Sequence, residues 1–407
     1  MMTSHAQRGQ ADHLSPFVTD EALSALFEDI AKDSGKRDRE RTLPFVQVDQ
    51  IRAARFGAYR LPRKLGGAGA TFRQLFEKII ELSAADSNIA QILRNHFVFV
   101  ERFAQHPKGE QEKFWQSQVA NGAIFGLANT ERAKAQSGDE SVTRLMRNGD
   151  GFSLNGTKFY STGSIFSDFV IVRAKDADDK LVTVIIPAKR TGVTLEDDWD
   201  AMGQRLTGTG TSRFLDVRVE ASEVVFDREG IAYDLPYAST IPQLFLTAVN
   251  AGILKAVLRD AKDLIKRRAK KAFYHAPSEV PSNDPILQKI IGDLAAHVFA
   301  AETVVLAAAD AQDSIPASHE IIAYEQAAHH ASLKAVKAKV LVDNLALQAA
   351  TSLFDVGGAS STQRDYNFDR HWRNARTIAS HNPSHYKSVA VGNFELNDVP
   401  LPKKGVF

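Results

Sequence analysis

The chain of 407 residues contains no cysteine, which excludes disulfide bonds, thiolate catalysis, cysteine-ligated zinc and iron–sulfur clusters. Its charges nearly cancel, since 50 lysines and arginines stand against 49 aspartates and glutamates. A nucleic acid or a membrane surface would need a concentrated basic field, so we expect neither as a partner. No uninterrupted apolar run reaches the roughly 20 residues that cross a bilayer. Residues 1–15 lack the charged-then-apolar order of a signal peptide, and we therefore expect a cytoplasmic protein.

The period of the apolar residues changes twice along the chain. Residues 1–120 have helical spacing and predict an N-terminal α-helical domain. Residues 121–232 contain short alternating or β-branched runs separated by Gly, Asn and Asp turns, which predict a middle antiparallel β-barrel. Helical spacing returns over residues 233–407 and predicts a C-terminal four-helix bundle. The fold class expected from this order is α+β.

One histidine lies inside an apolar helical stripe. The helix predicted from Ser87 carries His96 on the same face as its apolar residues. A buried imidazole must form hydrogen bonds, because an unpaired buried polar group costs about 1–3 kcal/mol. Two interpretations remain open. His96 is either a core histidine bonded to a backbone carbonyl, which the stripe alone favours, or a histidine that lines a buried pocket.

Several common site motifs are missing. LGGAGA at 65–70 follows no strand and GTGTS at 208–212 precedes one, so neither has the context of a dinucleotide-binding turn. No Walker motif and no serine-nucleophile elbow is present, and no metal site is expected. Arginines recur at helical spacing near the C-terminus, and an isolated stripe of this kind is first interpreted as salt-bridged surface. Its members are Arg370, Arg373 and Arg376.

Four motifs in order resemble the acyl-CoA dehydrogenase superfamily. PRKLGGAGATF at 62–72 is followed by SAADSNIA, which resembles the family's first glycine loop and the helix after it. Asn129-Thr130-Glu131, with Ser137-Gly138-Asp139 after it, is similar to the flavin loop, with the glycine and serine reversed. NGTKFYSTGS at 155–164 and WDAMGQRLTGTGTSRFLDVRV at 199–219 resemble two further family segments. The resemblance covers nearly the whole chain after residue 20 and implies the acyl-CoA dehydrogenase fold.

The C-terminal segment indicates which branch of the superfamily the chain resembles. HWRNARTIASHNPSHYK at 371–387 is similar to the dibenzothiophene monooxygenase branch, and the Y-E-G-T context of the dehydrogenases' catalytic glutamate is absent. The resemblance implies a two-component monooxygenase that takes reduced FMN from a separate flavin reductase. It would insert one atom of O2, through a C4a-hydroperoxyflavin, into a small organosulfur compound or, as a weaker possibility, an amine or aromatic. The alternatives are an FAD-dependent acyl-CoA dehydrogenase with its base elsewhere, and a non-enzymatic flavin-fold protein.

The resemblance also assigns residues to roles. It implies that Thr162, with Ser161 beside it, lies near flavin N5, that Tyr160 lies against the ring, and that His381 acts over the flavin face. His96 corresponds to a pocket histidine, with Val100 where the sulfur-heterocycle enzyme has a polar aromatic residue. The other cofactor-binding residues expected are Asn129 and Thr130 in the flavin loop, Gly357 and Gly358 at the phosphate, and Lys270 with Phe273 at the family's Arg-x-x-Phe spacing. Flavin sites in the superfamily are shared between subunits, which implies a homotetramer.

Overall fold

A computed structural model describes residues 18–105, 109–131, 142–226, 235–271, 273–316 and 321–404. The Ser137-Gly138-Asp139 motif lies outside the described residues. The first part of the chain is helical. Its helices are α1 Asp20–Lys32, α2 Ser34–Glu40, α3 Phe45–Ala53, α4 Phe72–Ala85, α5 Ser87–Ile92, α6 Arg94–Phe99 and α7 Glu110–Ala120.

Side chains close the ends of these helices. Thr71 and Gln74 form a capping box at the start of α4, which satisfies two otherwise unpaired backbone donors. The carboxylate of Asp313, far along the chain, accepts from the Phe72 and Arg73 N–H groups at 2.7 and 3.0 Å. That contact ties the N-terminal helices to the C-terminal ones. The single helix predicted from Ser87 is instead interrupted, and it continues after α6 as a π-helical turn at Val100–Ala104.

The middle of the chain forms one eight-stranded sheet. The path runs β6-β7-β3-β2-β4-β5-β8, with β1 beside β4. The strands are β1 Phe125–Ala128, β2 Arg144–Asn148, β3 Gly151–Lys158, β4 Phe169–Lys175, β5 Leu181–Pro187, β6 Val193–Leu195, β7 Ser212–Val219 and β8 Val224–Phe226.

The sheet corrects the prediction of an antiparallel barrel. β1 pairs with β4 in parallel, and β2 touches β4 in parallel at Arg144 and Lys175, so the sheet is mixed. Parallel pairing needs a long connection between the strands, and the β2–β3 hairpin lies in the chain between β1 and β4. No pairing among the described strands joins β6 to β8, so the path stays open.

The central strands are buried on both faces. In β4, Val170 and Val172 belong to a core formed by residues of the sheet, while Ile171 belongs to a second core that includes Phe99 and Trp115 of the N-terminal block. Strands covered on both sides have near-continuous apolar runs rather than alternation, as DFVIVRA and LVTVIIPA do. The N-terminal helices are thereby fixed on one face of the sheet.

The remaining helices pack around α8. They are α8 Thr240–Arg267, α9 Pro285–Asp313, α10 Ile321–Gly357, α11 Asp369–His381 and α12 Ser384–Asn397. α8 contacts α4, α9, α10 and α11, and most of its residues are buried. Asp284 caps α9, and Pro285 occupies its first position, where the missing N–H is harmless.

Two of these helices are long and apolar enough to cross a membrane by length and composition. The apolar window of α8 is 78% buried, which is typical of the central helix of a bundle. The corresponding window of α9 is only 22% buried. Its exposed apolar residues include Ile286 and Phe299, which are 62% and 72% exposed. A face of α9 is therefore left without a covering partner among the described residues.

Candidate active site

A cavity of about 890 Å³ lies where the three parts of the chain meet. Its wall combines α5 and α6, the end of β1, the loop after β3, the loop before β7, the start of α8 and the end of α11. A larger groove of about 1150 Å³ lies between α1, α4 and α8, but none of the residues predicted for the site lines it. The smaller cavity is the candidate active site because it contains His381, Thr162, Tyr160, Asn129 and Thr130.

His381 faces this cavity from the C-terminal end of α11. Its Nε2 lies 3.2 Å from Nη1 of Arg94 on α6. A guanidinium has only donors, so Arg94 donates, Nε2 accepts, and the imidazole proton is on Nδ1. Burial by the surrounding protein and the charge of Arg94 lower the pKa of His381, although its ring is open to the cavity. His381 is therefore a neutral imidazole near pH 7.

Thr162 ends a chain of hydroxyl groups with a fixed direction. Thr207 Oγ1 donates to the Gln204 carbonyl at 2.8 Å, so Thr209 must donate to Thr207 across 2.6 Å. Thr162 must in turn donate to Thr209 across 2.9 Å. Its proton is then committed, and the Thr162 Oγ1 lone pairs remain for a donor in the cavity. This hydroxyl is thus prepared to accept a hydrogen bond from a ligand N–H.

The loop that carries Thr162 is held by backbone contacts. Ser161 N–H donates to the Gly210 carbonyl at 3.0 Å, and Gly163 N–H donates to the Thr207 carbonyl at 2.9 Å. Gly163 has φ +81°, and a Cβ there would lie 2.6 Å from the Ile92 carbonyl oxygen, so glycine is required. Ser161 itself is buried outside the cavity, and its Oγ has no partner among the described atoms.

Tyr160, Asn129 and Thr130 form one rim of the cavity. Tyr160 has φ +61°, a conformation that costs a non-glycine residue of order 1–3 kcal/mol and persists where the surroundings impose it. Its ring is half-exposed and meets Trp199 edge to face at 6.0 Å. The Thr130 carbonyl accepts from the Phe159 N–H at 2.8 Å, which joins the two predicted flavin loops.

His96 is a core histidine, and the pocket role expected for it is wrong. The residue is fully buried and does not line the cavity. Its Nδ1 accepts from the Phe125 N–H at 3.2 Å, so Nε2 carries the proton and donates to the Gly57 carbonyl at 2.9 Å. Burial lowers its pKa to about 4. Both imidazole nitrogens form hydrogen bonds with backbone groups, so neither is available to a ligand.

The other face of the same segment lines the cavity. Its residues also follow helical spacing, but the apolar stripe that includes His96 indicated the buried face instead. The missed positions are Gln91, Arg94, Asn95, Val98 and Arg102. Asn95 Nδ2 donates to the Thr162 carbonyl at 3.2 Å and so positions that loop. The sequence signal that could have identified this face is the pair Arg94 and Asn95, which directly precedes His96.

The remaining predicted cofactor residues lie together, away from the cavity wall. Gly358 has φ +59°, and a Cβ there would lie 3.1 Å from the Phe273 ring. Arg268, rather than the exposed Lys270, reaches the turn, and its Nη2 donates to the Gly357 carbonyl at 2.7 Å. Within one chain the structure therefore divides the predicted cofactor residues into a cavity group and a glycine-turn group.

The cavity residues fit the ring of FMN. Reduced isoalloxazine offers N–H donors and carbonyl acceptors, and Thr162 Oγ1 is available as an acceptor. Three buried polar atoms of lining residues have no partner among the described atoms. Such groups in a native structure call for an explanation, and a polar ligand supplies one. They are Gln91 Oε1, Arg94 Nε and Gln204 Oε1.

Comparisons with known proteins identify the family of the chain. The family model for the acyl-CoA dehydrogenase middle domain matches residues 126–217, and the model for the acyl-CoA dehydrogenase C-terminal domain matches residues 244–385. The chain belongs to the acyl-CoA dehydrogenase superfamily. Within it, the chain belongs to the dibenzothiophene monooxygenase-like branch, as the tail motif predicted.

Three relatives support that placement. The chain is 28% identical to a dibenzothiophene monooxygenase of Rhodococcus qingshengii over 382 residues, which are 90% of each chain. It is 27% identical to the probable FMNH2-dependent monooxygenase SfnC of Pseudomonas putida over 375 residues, 90% of this chain and 92% of the relative. The FMN-bound structure of TdsC from Paenibacillus sp. A11-2 superposes with a TM-score of 0.82 at 26% identity, covering 94% of this chain and 99% of TdsC.

Proposed function

We propose that the protein is an FMNH2-dependent monooxygenase that inserts one oxygen atom of O2 into a small organosulfur compound. The observation that carries the proposal is the composition of the cavity wall. Among the described residues that line it, His381 supplies an imidazole and no Asp or Glu is present. An acyl-CoA dehydrogenase needs a carboxylate base against the α-proton of its substrate, and the described wall offers none. The names of SfnC and of the dibenzothiophene monooxygenase support the same conclusion.

Reduced FMN, when bound, supplies the two electrons and two protons with which one atom of O2 enters the substrate and the other leaves as water. The protein contributes groups that hold protons. Thr162 Oγ1 accepts a ring N–H, since its own proton is donated to Thr209. His381 presents a neutral imidazole with its proton on Nδ1, because Arg94 occupies Nε2. A positioned imidazole of this kind is suited to general acid–base work.

Part of the cavity wall is apolar. Val98, Leu246 and Ile378 contribute apolar surface between the polar groups. Exclusion of water strengthens the hydrogen bonds of a site and suppresses side reactions such as loss of peroxide. The apolar surface therefore belongs to the proposed chemistry as much as His381 does.

The proposal includes partners. FMNH2 comes from a separate flavin reductase in the cytoplasm. We further propose a homotetramer in which the glycine turn at Gly357 and Gly358 of one subunit completes the flavin site of another. Two observations support it, namely the separation of that turn from the cavity and the uncovered apolar face of α9. Light scattering should report four chains, and Phe299→Glu should lower the mass. A monomeric wild-type protein would contradict this part.

The central experiment combines the purified protein with FMN, a flavin reductase and oxygen labelled with the heavy isotope. A panel of sulfinates, sulfones, thiophenes and amines is tested as substrates, and the masses of the products are measured by mass spectrometry. We expect one labelled atom per product molecule and dependence on the reductase. Oxidation of an acyl-CoA with bound FAD and an electron acceptor, in the absence of oxygen, would instead support the dehydrogenase alternative.

A further inference from the structure

Arg94 is a buried cation without a described counter-ion. The residue is 9% exposed, and its Nε has no partner. Its one hydrogen bond among the described residues goes to His381, which is neutral. Burial lowers the pKa of Arg94 to about 10, so the guanidinium is still charged at neutral pH. A buried charge is unfavourable unless something pairs with it.

Three other buried or half-buried arginines show which partner Arg94 lacks. Arg37 Nη2 lies 2.9 Å from Asp86, Arg370 lies 2.6 Å from Asp260, and Arg373 lies 2.7 Å from Asp38. Each guanidinium has a carboxylate supplied by the fold. Arg94 differs from them because it borders the cavity, where a ligand rather than the chain can supply the anion.

The surroundings of Arg94 reinforce its charge. The described cavity wall contains Arg102, Lys403 and Lys404 besides Arg94, and no acidic residue. Lys387, directly behind the wall, donates to Gln243 Oε1. Lys403 is paired with Glu325, which is not itself a lining residue. A cavity lined with charges of one sign concentrates ligands of the other sign.

We propose that the oxygenated substrate is a small organic anion whose oxyanion group is bound by the Arg94 guanidinium. This inference rests on the proposed monooxygenase function and names its substrate class. The planar guanidinium binds two oxygen atoms of a sulfinate, sulfonate or carboxylate at once. Val98 lies one helical turn after Arg94 and, with Leu246 and Ile378, contacts the apolar body. Because Arg94 touches His381, the bound group lies beside the proposed catalytic imidazole.

Binding is measured first, without turnover. Calorimetry of the protein loaded with oxidised FMN compares propanesulfinate with methyl propyl sulfone, a neutral compound of similar size. We expect the anion to bind at least about 10-fold more tightly, since hydrogen bonds to charged groups contribute roughly 1.5–3 kcal/mol. Arg94→Gln should remove the preference, and Arg94→Lys should retain part of it. Arg267→Gln, an exposed change of the same charge, should leave both affinities unaltered.

Turnover then separates this inference from the proposed function. With FMN, reductase and O2, Arg94→Gln should lower kcat/KM for the anion about 10- to 100-fold more than kcat/KM for neutral substrates, because any effect that acts through His381 is common to both. Anion binding that depends on Arg94, with no product from any compound, would reject the monooxygenase and retain the anion site.

Two results would overturn the anion site. Equal affinity of the wild type for anion and neutral compound is the first, and it needs no variant to fold. The second is that Arg94→Gln weakens FMN binding at least 10-fold and leaves anion binding unchanged, which would assign the guanidinium to the flavin ring.

Discussion

Two buried polar regions of this protein differ in whether the chain satisfies its own charges. The first, here called the ion-pair cluster, lies between the N-terminal helices and α11. It consists of Arg37 with Asp86, Asp38 with Arg373, and Asp260 with Arg370 and His371. The second is the cavity, where Arg94 has no described carboxylate and several polar atoms lack partners. Paired buried charges fix a structure, whereas unpaired ones at a cavity indicate a ligand.

A single helix supplies both regions. Arg370 and Arg373, near the start of α11, enter the ion-pair cluster, and His381 at its end enters the cavity. Two members of the arginine stripe, which the sequence indicated as salt-bridged surface, thus anchor the first part of α11 in ion pairs with Asp260 and Asp38, while Arg376 is exposed. These ion pairs hold α11 in place and, with it, the proposed catalytic imidazole at its end. The following changes test the division between the ion-pair cluster and the cavity.

The largest effect is expected from removing a carboxylate of the ion-pair cluster. Asp86 pairs with Arg37 and also accepts from the Asn88 N–H at 3.0 Å at the start of α5. Asp86→Ala should lower the free energy of unfolding by about 3–5 kcal/mol, because it leaves a buried guanidinium unpaired. Urea titration measures the loss. Asp29→Ala, which breaks an exposed pair with Lys32, should change it by less than about 1 kcal/mol. Similar losses of unfolding free energy in both variants would contradict the structural role assigned to the buried ion pairs.

His96 allows a test by pH. Its folded pKa of about 4 lies below the ordinary histidine pKa of 6.5, so the unfolded chain takes up this proton first as the pH falls. Folding stability is therefore lost between pH 6.5 and 4, by up to about 3 kcal/mol, and is fully present above pH 6.5. His96→Gln should flatten the dependence of the urea midpoint on pH in this window. The exposed His385→Gln should leave it unchanged, and an unaltered slope in His96→Gln would refute the core assignment.

In the cavity, His381→Ala should lower the coupling of FMNH2 oxidation to product formation and leave the stability of the fold unchanged. We expect product per FMNH2 consumed to fall about 100-fold, the lower range for loss of a general acid or base, while hydrogen peroxide rises. Product and peroxide are measured in the same reaction. His385→Ala serves as control. An unchanged product yield in His381→Ala would remove the residue from the proposed chemistry.

The smallest change is expected at the end of the hydroxyl chain. Thr162→Val keeps the shape of the side chain but removes the oxygen that accepts from the cavity. A neutral hydrogen bond contributes about 0.5–1.5 kcal/mol, so the ratio of product to peroxide should fall about 3- to 10-fold. Thr162→Ser should restore most of it. Equal ratios in the wild type and Thr162→Val would show that the hydroxyl serves only the loop.

The sequence by itself determined the elements whose signals are local. Apolar spacing identified the helical and strand segments, and the motifs at 155–164 and 371–387 placed Thr162 and His381 in the site, because each motif sits in one continuous stretch of chain. The branch of the superfamily followed from the tail alone. The mixed pairing of the sheet did not, since parallel pairing joins strands forty residues apart and has no local pattern.

Only the tertiary structure decided which polar residues are satisfied. The sequence left His96 open between a core histidine and a pocket histidine, and the carbonyl of Gly57 and the N–H of Phe125 at its two nitrogens decide for the core. Arg94 attracted no attention until the fold gave it a neutral imidazole and no described carboxylate. The physical reason is the same for both. Whether a buried polar group is paired depends on atoms that the chain brings together from distant positions, and no stretch of sequence records that pairing.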